Sequence, residues 1–239
     1  MTPLVLVHGF MGGSDQWTSL APLGRTRDMI AVDLPGFGRN ATMNPINSIA
    51  GFADWVLAEL SRRGIEHFDL LGHSMGGMIV QQMIRRAPGR VNRLILYGTG
   101  AVGVLPGRFE TIETSMERAR TDGPVATARR ISATWFLDRE AAPEYPACAA
   151  IAEQASLPAI LAGLEAMRGW SGEDALPSIA AKTLVLWGDQ DRTYPWDQTL
   201  RLWTTIPDSQ LAVAPGCAHV VHLEHPALFN AAVERFLEH

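Results

Sequence analysis

A short turn bracketed by glycines constrains this chain more than any other part of its sequence. Gly72-His73-Ser74-Met75-Gly76 fits the pattern G-x-S-x-G and directly follows the apolar run Phe68-Asp69-Leu70-Leu71. An apolar stretch of helical length comes next, at residues 78–84, and Pro88 ends it. A strand that reverses sharply into a helix needs small residues beside the turning point, because the backbone there is strained. The pattern therefore predicts a strand, a tight turn and a helix, with the hydroxyl of Ser74 exposed at the turn.

A serine hydroxyl is a weak nucleophile at neutral pH, so this turn predicts partners elsewhere in the chain. The serine needs a base that takes its proton and an acid that orients the base. Both partners follow this kind of turn, with the acid before the histidine. Gly188-Asp189-Gln190-Asp191 follows a strand-like run at 183–187, and Pro215-Gly216-Cys217-Ala218-His219 follows another at 210–213. Each candidate thus stands in a loop behind a predicted strand.

These motifs together resemble the α/β-hydrolase fold family over nearly the whole chain. Two further stretches match the family, the opening Leu4-Val5-Leu6-Val7-His8-Gly9-Phe10 and the strand and turn Ala31-Val32-Asp33-Leu34-Pro35-Gly36-Phe37-Gly38. The resemblance implies a serine esterase or lipase-like protein with a helical cap. One departure is that family members commonly begin with two extra strands, whereas the first strand here starts at about Pro3.

The resemblance assigns a role to each catalytic candidate. The acid is the second aspartate of a Gly-Asp-x-Asp turn, which is Asp191, although Asp189 stays open as an alternative. The base is the histidine of a His-x-x-x-x-Glu-x-Pro stretch, which is His219. The oxyanion hole is formed by the backbone N–H groups of Phe10 and Met75, as in similar proteins.

The order of apolar runs predicts an α/β fold built on a mostly parallel sheet of about six strands flanked by helices. Ser48 is expected to cap a helix that Gly64 closes, and Pro226 to open the last helix. From about residue 101 to 178 no strand is predicted, but apolar residues recur at helical spacing. The predicted organisation is a hydrolase core at 1–100 and 179–239 with a helical cap at 101–178.

The predicted substrate-binding residues belong to the cap and to the loops beneath it. The aromatic residues of the cap can either line the pocket or form the core of the cap, and the sequence leaves both possibilities open for them and for Phe109 and Met116. The predicted set is Met11, Met78, Trp135, Phe136 and Trp170.

Other polar residues near these motifs are given structural roles. His8 is expected to hold the oxyanion loop, and Asp33 to cap N–H groups of its own turn. His222 and His225 are expected at the surface or as helix caps, because the spacing to Pro226 favours His219 as the base.

Composition narrows the class of partner. The 239 residues are 47% hydrophobic and carry a net charge of −5 from 20 basic and 25 acidic residues. No basic cluster exceeds a pair, so neither nucleic acid nor a membrane is expected as a partner. Two cysteines, no charged leader and no long apolar run favour a soluble, cytoplasmic protein. Stretches 98–103 and 36–41 fit dinucleotide-binding patterns but open no predicted helix, so no cofactor is expected. The histidines lack paired metal-ligand spacing, apart from the three in the loop at 219–225, so no metal is expected.

These considerations predict a carboxylesterase-type hydrolase that cleaves small, largely apolar esters with water, as a monomer or small homo-oligomer. A serine at the turn argues against similar dehalogenases and epoxide hydrolases, which use aspartate. Five alternatives remain: a carbon–carbon bond hydrolase, a lactonase, a cofactor-free perhydrolase, a lyase resembling the menaquinone-pathway synthase, and a non-enzymatic small-molecule receptor. Met78 stands where that synthase group has an arginine, and an apolar residue suits an uncharged substrate better.

Overall fold

Six parallel strands form one sheet in the order β2-β1-β3-β4-β5-β6 in the computed structural model, which describes residues 2–105 and 110–238. Each neighbouring pair runs parallel, as expected for strands that alternate with helical connections. The strands are β1 Leu4–Val7, β2 Met29–Val32, β3 Phe68–His73, β4 Val91–Tyr97, β5 Lys182–Gly188 and β6 Ser209–Ala214.

The helices that flank the sheet begin and end where local signals place them. The side chain of Ser48 accepts a hydrogen bond from the backbone N–H of Gly51 and so caps α1. Gly64, just beyond the end of α1, has φ +73°, the left-handed conformation that favours glycine at this position. These helices are α1 Ile49–Arg62, α2 Met75–Arg86, α7 Trp196–Thr205, α8 Val221–Glu224 and α9 Pro226–Glu238.

Between β4 and β5 lies an insertion whose described residues form four further α-helices. They are α3 Ile112–Asp122, α4 Pro124–Ala133, α5 Tyr145–Ala152 and α6 Leu157–Arg168. The two ends of the insertion are tied together, because Gly103 N–H donates to the carbonyl of Trp170 (3.0 Å) and Gly172 N–H donates to that of Ala101 (2.8 Å). The apolar spacing anticipated α3, α4 and α6, but not α5, and Trp135 lies beyond the end of α4. The cap limits at 101 and 178 stay a prediction, and Phe109 lies outside the described residues.

Alternate residues of each central strand face two separate apolar layers. Val5 and Val7 pack with α1, α2 and the insertion, whereas Leu4 and Leu6 pack with α9 and the segment that follows β1. A parallel sheet covered on both faces requires this near-continuous apolar sequence. The predicted α/β fold, with about six strands, flanking helices and an inserted helical segment, is confirmed.

Among the described residues, no single helix has both the length and the apolarity to cross a membrane. Helices α5 and α6 meet those criteria only as a pair, and they are bent by 96° at their junction.

Candidate active site

The predicted catalytic residues all follow the carboxyl ends of strands, which lie along one edge of the parallel sheet. Ser74 follows β3, Asp191 follows β5 and His219 follows β6, while Phe10 follows β1. Residues more than 140 positions apart in the sequence are therefore brought into one site.

Ser74 sits in the strained turn that the glycine pattern predicted. Its φ and ψ are +57° and −123°, a combination that non-glycine residues rarely adopt. Its backbone is held on both sides, since its N–H donates to the backbone carbonyl of Tyr97 (3.0 Å) and its carbonyl accepts from the hydroxyl of Thr99 (2.8 Å). Gly9 lies so close that a Cβ there would stand 2.9 Å from the Cβ of Ser74. As a residue, Ser74 is only 8% exposed in the assembled fold, so the turn lies in a covered site and not at an open surface.

His219 and Asp191 form a buried pair. Nδ1 of His219 donates to Oδ2 of Asp191 over 2.9 Å, and the other carboxylate oxygen accepts from the backbone N–H groups of Thr193 (2.7 Å) and Tyr194 (3.1 Å). The ring of Tyr194 stacks on the imidazole at 5.6 Å between centroids. Because Nδ1 carries the proton, Nε2 of His219 is left as an acceptor, and it is buried without a hydrogen-bond partner among the described groups.

Asp189, the alternative acid, has a different partner. One of its carboxylate oxygens accepts the backbone N–H of Gly216 over 2.8 Å, and no hydrogen bond joins it to His219 within the described chain. The backbone N–H of Gln190 also donates to the backbone carbonyl of Cys217 (2.9 Å). These contacts join the acid loop to the histidine loop, so Asp189 supports the arrangement without orienting the imidazole.

The loop after β1 is fixed by His8, as predicted. Nδ1 of His8 donates to the carbonyl of Gly9 over 2.7 Å, and Nε2 accepts the N–H of Leu34 over 3.0 Å. Burial lowers the pKa of His8 to about 4, so the ring is neutral and can play both parts near neutral pH. Since the C=O and N–H of one peptide unit point in opposite directions, holding the carbonyl of Gly9 also fixes the direction of the N–H of Phe10.

The two predicted oxyanion donors remain available for a ligand. Met75 is the first residue of α2, and the first N–H groups of a helix have no partner within it. Neither the N–H of Phe10 nor that of Met75 donates a hydrogen bond within the described part of the chain. Phe10 lies in the loop after β1 and Met75 at the start of α2, both at the edge of the sheet that carries Ser74.

A group of stacked rings packs behind the imidazole of His219. The His73 ring lies 4.5 Å from both the Tyr97 and the His219 rings, and its Nε2 lies 3.0 Å from the carbonyl of His219. Nδ1 of His222 lies 3.0 Å from the Tyr97 hydroxyl. Burial sets the pKa of His73 well below its ordinary value and lowers the pKa of His222 to about 3.

Two structural assignments made from sequence need correction. His222 is buried, not at the surface, because α8 turns its ring inward onto Trp17 and Tyr97. Asp33 does not cap its own turn but accepts the backbone N–H of Ser14, 19 residues away (2.8 Å). His225 is exposed, and its Nδ1 accepts the N–H of Leu228 at the start of α9, as a capping residue does.

The predicted substrate-binding residues share one apolar cluster with Phe10 and Met75. The ring of Phe10 contacts α6, because a Cβ on Gly163 would stand 2.7 Å from it. Within the predicted set, only Trp170 is partly exposed, and Phe136 packs edge-on against Tyr145, 6.2 Å away. The fully or largely buried members of the set are Met11, Met78, Trp135 and Phe136.

The matching family model is described as the alpha/beta hydrolase family, and the match covers residues 4–232. The chain belongs to this family. A 2-hydroxy-6-oxo-2,4-heptadienoate hydrolase of Pseudomonas putida is 31% identical over 98% of this chain and 88% of its own length.

Solved structures agree with this placement. The enol-lactonase of Burkholderia xenovorans has a TM-score of 0.91 at 21% identity, covers 100% of this chain and 92% of its own, and shows the shared fold alone. A thermophilic esterase of Thermogutta terrifontis has a TM-score of 0.90 at 26% identity and covers 100% of this chain and 90% of its own. The family and these relatives together support a hydrolase.

Metal-assisted hydrolysis would need a cluster of suitable ligands. Across residues 2–105 and 110–238, no group of three or more histidine, cysteine, aspartate or glutamate residues could hold a metal ion. The polar side chains that the structure describes at the site are those of a serine, a histidine and an aspartate.

Proposed function

We propose that this chain is a serine hydrolase in which Ser74 is the nucleophile, His219 the base and Asp191 the residue that orients the base. The observation that carries the proposal is the 2.9 Å hydrogen bond from Nδ1 of His219 to Asp191, which leaves a buried Nε2 without a partner. A nitrogen in that state accepts the proton of a serine hydroxyl. The backbone strain at Ser74 fits a residue held for reaction.

Attack on a carbonyl carbon places negative charge on its oxygen. The backbone N–H groups of Phe10 and Met75 would receive that charge, and each such donor contributes about 3 kcal/mol to lowering the barrier. Collapse of the tetrahedral intermediate releases the leaving group, which takes the proton from His219. Water then hydrolyses the acyl-enzyme, with His219 again acting as the base.

Carbon–carbon bond hydrolysis is the first candidate reaction. The relative that is 31% identical is named for 2-hydroxy-6-oxo-2,4-heptadienoate, a substrate with a ketone and no ester. Hydrolysis of such a molecule breaks the bond between the ketone carbon and its neighbour in the chain. A substrate of this class, a ketone joined to a hydroxydienoate, is the one we propose for this chain.

Breaking this carbon–carbon bond requires a group in the substrate that accepts the electrons of the bond. Transfer of the enol proton to carbon 5 first gives a 2,6-diketone with one remaining double bond. Ser74 then attacks carbon 6, and the bond between carbons 5 and 6 breaks with its electrons delocalised onto the 2-oxo group. Protonation of that oxygen gives a 2-hydroxydienoate, and water releases the acyl group as a carboxylic acid.

Ester or lactone hydrolysis is the second candidate, and the side chains of the site favour it. Met11 and Met78, which flank the oxyanion loop and the nucleophile, are fully buried and uncharged. Such a surface suits an apolar acyl group better than a carboxylate. The esterase that is 26% identical uses the same fold, and the acyl-enzyme chemistry of Ser74 would be unchanged.

Parallel assays separate the two candidates. The purified protein would be given 2-hydroxy-6-oxo-2,4-heptadienoate and, separately, p-nitrophenyl acetate and butyrate under multiple-turnover conditions. Ser74→Ala is the test variant and Ser178→Ala, at an exposed serine, is the control. A higher kcat/KM on the dienoate, lost only in Ser74→Ala, supports the first candidate, and a preference for the esters supports the second. Equal turnover by wild type and Ser74→Ala would refute the serine mechanism.

A further inference from the structure

Glu224 bridges two parts of the chain that are far apart in sequence. Its Oε1 accepts the backbone N–H of Leu137 in the insertion, and its Oε2 accepts that of Ala218 in the histidine loop, each over 2.6 Å. Hydrogen bonds to an ionised carboxylate are shorter than those between neutral groups, and the two short contacts of Glu224 agree with this. A single side chain thus holds the insertion against the loop that carries the base.

A third hydrogen bond runs beside this bridge. The backbone N–H of His219 donates to the carbonyl of Trp135 over 3.0 Å. Position 135 of the insertion is therefore bonded directly to position 219, and position 137, two residues on, is linked to position 218 through Glu224. Trp135 is 7% exposed and belongs to the apolar cluster that contains Phe10. Any shift of the insertion at Trp135 would therefore be transmitted to the backbone of the base.

We propose that Glu224 is a positioning residue that sets the imidazole of His219 and the predicted substrate-binding residue Trp135 as one unit. The inference rests on the proposed serine hydrolysis and extends it to a residue that does not touch the substrate. It also gives α8 a purpose, since this short helix places Glu224 five residues after the base.

The chemistry of the bridge requires a carboxylate. Two backbone N–H groups approach the two oxygens of one side chain, and an ionised carboxylate offers an acceptor to each. A glutamine of the same length offers one carbonyl oxygen, and its NH2 group would face the second N–H. Burial raises the pKa of Glu224, and the hydrogen bonds that it accepts from the two N–H groups oppose that rise by favouring the ionised form.

The test compares Glu224→Gln with Glu234→Gln, an exposed glutamate on α9. Three readouts are taken below the unfolding temperature: the rate at which a fluorophosphonate labels Ser74, the kcat/KM for p-nitrophenyl acetate and butyrate, and amide exchange in segments 134–138 and 217–219. A displacement of about 1 Å at a reacting group costs on the order of 100-fold in rate. We expect Glu224→Gln to lower labelling and kcat/KM by roughly 10- to 100-fold, to change the butyrate-to-acetate ratio, and to speed exchange in both segments together.

The outcomes distinguish this inference from the function on which it rests. Wild-type protein that labels at Ser74 and turns over, with Glu224→Gln matching it in labelling rate and acyl preference, overturns the role of Glu224 and leaves the hydrolase intact. A fall in the unfolding temperature alone, with labelling and turnover unchanged, also overturns that role. Failure of the fluorophosphonate to label wild-type Ser74 overturns both. Should Glu224→Gln not fold, slow exchange at both Leu137 and Ala218 in the wild type supports the bridge, and fast exchange at either refutes it.

Discussion

Acid should destabilise this protein through His222, and replacing that residue should remove a measurable share of the effect. His222 is 1% exposed, its Nδ1 lies 3.0 Å from the Tyr97 hydroxyl, and its Nε2 has no hydrogen-bond partner in the described chain. Burial lowers its pKa from 6.5 to about 3, because a charged imidazole would lose its hydration inside the fold. Below the ordinary pKa of histidine, the unfolded chain therefore binds a proton at His222 that the folded chain does not bind.

The sign and size follow from linkage. Between pH 6.5 and about 3 the unfolded state carries more protons, so the free energy of unfolding falls as the pH falls. Each pH unit in this window changes that free energy by about 1.4 kcal/mol for one group. Over the whole window His222 accounts for a loss of roughly 5 kcal/mol in the free energy of unfolding, and this loss is absent above pH 6.5.

The measurement is urea unfolding of wild type, His222→Gln and the exposed control His225→Gln at intervals from pH 7.5 to 4. Glutamine is close to histidine in volume and can still accept from the Tyr97 hydroxyl, so we expect a difference within about 2 kcal/mol at pH 7.5. Below pH 6 the wild type and His225→Gln should lose stability in parallel, while His222→Gln loses less. The slope should persist in part, since burial also lowers the pKa of His8 to about 4. Identical pH dependence in all three proteins would refute the reasoning.

Three further predictions concern the site and its support. Asp191→Asn should lower kcat roughly 10³- to 10⁴-fold with little change in the unfolding temperature, because the imidazole loses the carboxylate that fixes its tautomer; a loss under tenfold in steady-state kinetics would contradict this. Gly163→Ala would place a Cβ 2.7 Å from the ring of Phe10, so we expect an altered KM despite the better helix propensity of alanine, and unchanged kinetics would show that this ring is free to yield. Arg27→Ala would remove the nearer ion-pair partner (2.5 Å) of Asp69, whose side chain is 2% exposed, and leave that carboxylate with Arg93 at 4.0 Å and the amide of Asn92 at 3.0 Å. This should cost about 3 kcal/mol in chemical denaturation, while a cost below about 1 kcal/mol would mean that the pair behaves as a surface one.

The sequence carried the local features of the fold well. Ser48 caps α1 and Pro226 opens α9 because both depend on a few neighbouring residues. The central strands were visible because a buried parallel strand is apolar along most of its length, whereas the edge strands β2 and β6 are only partly buried. Helix α5 escaped prediction, since its apolar residues do not lie on one face.

Assignments that depend on distant partners were less secure. Asp189 and Asp191 are two residues apart and carry the same side chain, and only the packing of their loops separates the one that meets His219 from the one that meets Gly216. The predicted surface location of His222 was wrong for the same reason, because the side chain of a histidine in a short segment can face solvent or the core until α8 packs on the sheet. Glu224 gave one signal, its fixed distance from His219, but nothing in the sequence names Leu137 as its partner.

The sequence by itself determined the strained serine turn and the succession of strands and helices that follows from alternating apolar runs. It also determined that the loops carrying the acid and the base come after the nucleophile in the chain. These are properties of neighbouring residues, since backbone strain and strand burial act over a few positions. The tertiary structure decided which aspartate faces His219, that Ser74 is buried, and that Glu224 joins the insertion to the histidine loop. Those contacts join residues 28 to 87 positions apart or depend on how the insertion packs, and their hydrogen bonds exist only once the sheet and the insertion have assembled.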